Sequence, residues 1–190
     1  MALTRITAPS TNPVTLAEAK AHIRLDSSDA DAEITAFIGS ATEYAEQMTG
    51  RALMTQTWEL SIDDFPDFFE LTRTPVASIT SIKYTSTAGV VTTFDASAYV
   101  LDASDDFGPA KVHPAYSTVW PTSRGDYGNV KVRYVAGYAS ASAVPEAIKA
   151  WIKLQVGAQD FNRGSEVLGS SGKVVFKFVD SLVDRFKVYL

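Results

Sequence analysis

Apolar side chains recur at three- and four-residue spacing from about residue 13 to 50. They recur every second residue from 55 to 136, and at helical spacing again after 144. The first helix is predicted over 15–25: Thr15 with Glu18 forms a capping box, and Leu16, Ala19, Ala21 and Ile23 form a stripe that Asp26-Ser27-Ser28 breaks. A second helix is predicted over 30–50 from Ile34, Phe37, Ile38, Ala41, Tyr44, Ala45 and Met48. Asp29 or Asp31 is its candidate cap, and Gly50 its stop. The opposite face carries small and polar residues, Gly39, Ser40, Thr42, Glu43 and Glu46. Such a face permits close approach of a second partner, or is simply solvated.

Trp58, Leu60 and Ile62 alternate with polar positions before Asp63-Asp64-Phe65-Pro66-Asp67 turns the chain. Ile79, Ile82 and Tyr84 continue the pattern, Thr87-Ala88-Gly89 turns into Val90–Phe94, and Tyr99–Leu101 and Lys111–His113 read as short strands. Val130, Val132, Tyr134 and Ala136 form a last alternating set ending at Gly137. Nothing of helical length separates these strands, so a small antiparallel sheet or sandwich is expected and a parallel α/β sheet is not. Pro145 and Glu146 open a third helix over 145–163, its stripe of Ile148, Trp151, Ile152, Gln155 and Val156, extended by Phe161, packing on the second helix. The expected class is α+β: a helical core with a β insertion at 55–136, in one domain over 1–163. Residues 164–173 read as a Gly/Ser linker. In the segment 174–190, Val174, Phe176 and Phe178 alternate, and Asp180 is a candidate cap for a short helix with Leu182, Val183 and Phe186. A tethered segment this apolar is expected to dock on its own domain or a neighbour.

Composition narrows the function classes. The 190 residues contain no cysteine, which removes thiol catalysis, zinc-thiolate sites, iron–sulfur clusters and disulfide scaffolds. A formal charge of −5 argues against a broad DNA-coating surface, which needs clustered Lys and Arg. The N-terminus lacks the basic-then-apolar pattern of a signal peptide, and no apolar run approaches the ~20 residues of a membrane span. The expected setting is the cytoplasm or a particle assembled there.

Catalytic chemistry is thin. The two histidines, His22 and His113, fit structural or surface roles, and no Gly-x-Ser-x-Gly elbow frames a serine. Asp102, Asp105 and Asp106 crowd one loop without EF-hand spacing; Asp63, Asp64 and Asp67 are paired carboxylates that turn chemistry also explains. No Walker-type or dinucleotide-binding glycine motif occurs, so no cofactor or resident metal is expected. Trp58, Trp120 and Tyr116 line a sugar-binding face or pack in a core.

The order of landmarks resembles the head–tail connector family of bacteriophages and gene transfer agents, also called adaptor or head-completion proteins. Five stretches carry the likeness. They are Val14–Asp26, the helix end Tyr44–Leu53, Gln56–Leu60 running to Asp64-Phe65-Pro66, Thr74-Pro75-Val76 before Ile79–Tyr84, and Trp120-Pro121 leading to Val130–Tyr138 and Pro145–Lys149. The resemblance implies a non-enzymatic structural subunit of a ring, commonly of twelve copies, in the neck between the portal and a tail-side connector or stopper protein. DNA passes through such a ring without specific binding, and no membrane is involved. It also implies portal docking through a C-terminal segment, here Val174, Phe176, Phe178, Leu182, Phe186 and Tyr189. Subunit contacts are expected at Gly39, Ser40, Glu43, Glu46 and Arg51. The rivals are a carbohydrate-binding β module using Trp58, Trp120 and Tyr116, and a hydrolase using Asp63, Asp64 or Asp102.

Overall fold

Four helices and two antiparallel sheets make up the chain, an α+β architecture. The computed structural model describes residues 1–161 and 177–188, with the backbone alone at 177–180. Two units divide it. One holds residues 1–10 and 50–138 with Val188, the other 11–49 and 139–187 as far as described.

The first unit is a β sandwich. Strands β1 (Ala2–Thr7), β2 (Gln56–Ile62), β3 (Phe69–Leu71), β4 (Val76–Thr85), β5 (Val91–Thr93), β6 (Tyr99–Asp102), β7 (Ala110–Pro114) and β8 (Val130–Ala136) form two sheets. The larger has the order β1-β2-β8-β4-β5, the smaller β3-β7-β6. The period-two pattern decides which face is buried: Leu60, Ile62, Ile82, Val130, Val132 and Tyr134 of the larger sheet share one core with Phe69, Leu71 and Val112 of the smaller. In the β4–β5 hairpin Gly89 takes a positive φ, as the Thr87-Ala88-Gly89 signal requires. Gly137 ends β8 at φ 107, and a Cβ there would overlap the Met54 carbonyl. Only glycine fits where these two backbone segments meet.

Two strands escape the sequence pattern. In β1 only Leu3 is even half-buried, so no apolar alternation announces this edge strand, although it pairs with β2 along its length. The three-residue β3 is too short for a period to register.

The second unit is helical: α1 (Leu16–Ile23), α2 (Asp31–Thr49), α3 (Glu146–Phe161) and α4 (Lys177–Asp184). Thr15 caps α1 with the expected reciprocal box, its hydroxyl accepting the Glu18 amide while the Glu18 carboxylate takes the Thr15 amide at 2.7 Å. That hydrogen bonding holds the Glu18 carboxyl below its usual range. Gly50 follows α2 at φ 72, the left-handed stop its position predicts. The α2 and α3 stripes pack together through Ile34, Ile38, Ala41, Ala45, Ile148, Trp151, Ile152 and Val156, with Tyr44 stacked on Trp151 at 5.7 Å. Helices α1 and α3 approach at Gly157, where a Cβ would touch Ile23.

Local expectations need correction at three points. Asp31 is inside α2 and pairs with Lys20 at 2.6 Å, while Asp29 takes the Ser27 hydroxyl, so neither caps the helix as expected. Phe161 is 85% exposed and does not extend the α3 stripe. Asp180 lies inside α4, which starts at Lys177, and Phe178 is helical there rather than part of an alternating strand.

Candidate functional site

On α2 the burial pattern separates the candidate contact residues. Gly39 has open space on its Cα side: a Cβ there would meet nothing within 4 Å. Ser40 and Glu43 are exposed, Ser40 donating to Gln159 of α3 at 3.0 Å. Glu46, expected on the open face, and Arg51, expected at a subunit contact, are both buried within the chain itself. Glu46 falls on the inward side of α2 one turn after Thr42, and Arg51 lies past the helix stop, where its guanidinium reaches the Asp106 carbonyl. Helical spacing could not have flagged Glu46, since it lies seven residues, two turns, from Gly39 on the same side of α2; its burial, like that of Thr42, comes from what packs against that end of the helix.

Of the C-terminal candidates, Val174, Phe176 and Tyr189 lie outside the described residues, and Phe178 is described by its backbone alone. Leu182 and Phe186 are half-buried, with the Arg185 guanidinium 5.0 Å above the Phe186 ring. Helix α4 packs on α3 and α2, and Val183, between the two, is fully buried.

The aspartate clusters prove to be loop fasteners. Asp63 accepts the Gly128 amide at 2.7 Å, Asp64 accepts the Phe65 amide and the Ser123 hydroxyl, and the Asp67 carbonyl accepts the Trp120 indole N–H. Asp102 accepts the Ser104 hydroxyl and amide, which pull its carboxyl below the usual range, and Asp105 accepts the Phe107 amide. Turn chemistry therefore accounts for the carboxylates that a hydrolase would need. Among the described residues no group of three His, Asp or Glu side chains is arranged to hold a metal ion. His22 and His113 are exposed.

The three candidate sugar-binding aromatics do not share a face. Trp58 packs on the sandwich core beneath the Arg73 guanidinium, 5.0 Å away, and Trp120 stacks on Phe65 in a cluster with Phe69 and Phe94. Tyr116 alone is free, at 99% exposure. Core packing consumes the two indoles.

The outer face of the larger sheet was not singled out by the sequence. Glu59 and Arg133 stand opposite each other across β2 and β8, joined by two hydrogen bonds of 2.7 and 3.1 Å. They line a groove of about 490 Å³ with Lys83, Lys131, Asp126 and Tyr127. The arrangement offers fixed charges on a rigid sheet but no nucleophile paired with a base. No described helix is long and apolar enough to cross a membrane.

No curated protein sequence matches the chain. Among solved structures, a chain in the virion of a native gene transfer agent particle superposes with a TM-score of 0.79 at 24% identity, covering 100% of this chain and 97% of that one. A chain in the neck of an empty gene transfer agent particle, computed with C6 symmetry, gives the same values. One in the neck of a native particle, computed with C12 symmetry, gives 0.75 at 21% over the same shares. These likenesses show a shared fold. The family model described as phage gp6-like head–tail connector protein matches residues 13–108, from the first capped helix through the turn between β6 and β7. The chain belongs to the phage gp6-like head–tail connector family and is a structural connector subunit.

Proposed function

We propose that this connector forms a closed ring, of twelve copies, in the neck of a phage or gene transfer agent particle, between the portal and a tail-side stopper protein. The ring extends the DNA channel and presents a docking surface to the tail, with no enzymatic activity of its own. Family membership over residues 13–108 is the observation that carries this reading. The fold shared with gene transfer agent neck chains supports the ring and its place.

Two surfaces serve the assembly. Gly39, Ser40 and Glu43 on the open side of α2 contact the neighbouring subunit. The C-terminal segment 174–190 docks on the portal through Val174, Phe176, Phe178, Leu182, Phe186 and Tyr189. A net charge of −5 suits a conduit that must not grip its DNA.

The test is electron microscopy of lysates from the source particle with this gene deleted. DNA-filled heads separate from free tails, rejoined when the protein is supplied, are expected. Normally tailed particles in the deletion strain would overturn the reading.

A further inference from the structure

Lys83 and Lys131 face each other directly across the β4–β8 ladder, both exposed on the outer side of the larger sheet. Like charges placed opposite each other in a ladder repel. Nothing in the fold relieves this pair, since neither lysine meets a carboxylate among the described residues. The neighbouring carboxylates are already engaged, Glu59 by Arg133 and Asp126 by Arg124. The middle of the groove is thus a cationic spot on a chain whose net charge is −5. The groove, about 490 Å³ and flanked by the exposed ring of Tyr127, leaves room for an incoming loop.

The other layer of the sandwich supplies a matching shape. The β6–β7 turn carries Asp102, Asp105 and Asp106, all exposed, with Phe107 half-exposed behind them. This turn is held in place. Asp102 is bonded to Ser104 and stands opposite Lys111 across the β6–β7 ladder, Asp105 is bonded to the Phe107 amide, and Arg51 holds the Asp106 carbonyl, so Asp105 and Asp106 are the exposed acidic tip. It belongs to the three-stranded sheet, so it sits on the layer opposite the groove. A cationic groove on one layer and an anionic turn on the other are the two unlike patches that a head-to-tail contact between identical subunits requires.

Resting on the connector reading above, we propose that the Lys83–Lys131 groove receives the Asp102–Asp106 turn of a second copy of this chain. This contact links neighbouring subunits around the ring. Each lysine then gains the counter-charge it lacks in the single chain.

The chain has no cysteine, so only the introduced thiols can link one copy of it to another. In the test, the full chain carrying Lys131→Cys with Asp105→Cys is supplied to the deletion strain, and purified particles are treated with a short bismaleimide. A ladder of covalent multimers running to ring size is expected, with dimers absent for either single variant. A second arm needs no cysteine. Lys83→Glu with Lys131→Glu should lower the connector content of particles about tenfold or more, and adding Asp105→Lys with Asp106→Lys should restore it. Double-cysteine particles that contain the protein but give no ladder overturn the proposal. So does normal incorporation of the Lys83→Glu, Lys131→Glu chain, or a loss that the reversed aspartates leave unrescued. If the wild-type chain is itself missing from purified particles, the connector reading falls and this contact falls with it. A ladder failure with the wild type present removes the contact alone.

Discussion

Phe65 and Trp120 stack with ring centroids 4.9 Å apart and planes 11° from parallel. Phe65 sits in the acidic loop after β2, and Trp120 in the long connection between β7 and β8. The stack, the Trp120–Asp67 bond and the Asp64–Ser123 bond clamp two loops that no ladder joins. Trp120→Ala should therefore destabilise the protein by about 3 kcal/mol, typical of removing a packed aromatic. Hydrogen exchange should rise first at 63–68 and 115–128, and thermal unfolding with exchange mass spectrometry reads both. Uniform exchange across the sandwich would argue that the stack is not what holds these loops.

The close passage at Gly137 leads to a sharper expectation. Its φ of 107 disfavours any side chain, and a Cβ would also overlap the Met54 carbonyl. Gly137→Ala should cost more than about 2 kcal/mol, because strain and collision combine. Gly125 is the control: it too has a positive φ but open space around it, so Gly125→Ala should cost only about 1 kcal/mol. Equal losses in urea unfolding would mean that the collision is relieved by a backbone shift.

Helix positions were legible because caps and stops are local chemistry. Thr15 with Glu18, and Gly50 at a positive φ, act within one turn of the chain that encodes them. The long central strands were legible for a similar reason: Val130, Val132, Tyr134 and Ala136 all point to one core. What escaped depends on partners distant in sequence. The edge strand β1 buries almost nothing, and only its pairing with β2 defines it. The cationic groove arises from register, which sets Lys83 against Lys131, residues 48 positions apart that no spacing rule connects. Glu46 shares its helical phase with Gly39, seven positions earlier, yet is buried, so its burial depends on tertiary packing that the helix alone does not encode.

Tyr134 is fully buried, and its hydroxyl lies beside the Arg73 backbone without a hydrogen bond of ordinary geometry. Burial pushes the phenol from its ordinary 10 up to about 12. A folded-state value above the unfolded one gives stability that is complete below pH 10 and is lost as pH rises towards 12. Wild-type stability should fall steeply across that window, while Tyr134→Phe should flatten the fall and leave stability near neutral pH almost unchanged. Urea unfolding at pH 7 and at intervals above pH 10 gives both quantities. An unchanged alkaline slope in the variant would move the effect to other tyrosines or lysines.

Gly39 separates folding from assembly within one residue. It sits in the middle of α2, where glycine costs up to about 1 kcal/mol relative to alanine, yet an added Cβ would meet nothing within 4 Å. Gly39→Ala should therefore stabilise the isolated chain by roughly 0.5–1 kcal/mol. If the open side of α2 packs against a neighbouring subunit, Gly39→Trp should leave the isolated chain folded but exclude it from particles. A face bathed in solvent has no reason to reject the larger side chain. Circular dichroism melting reports the first effect, and the connector content of purified particles reports the second. Normal incorporation of Gly39→Trp would remove this face from the ring contact and leave the sandwich to carry it.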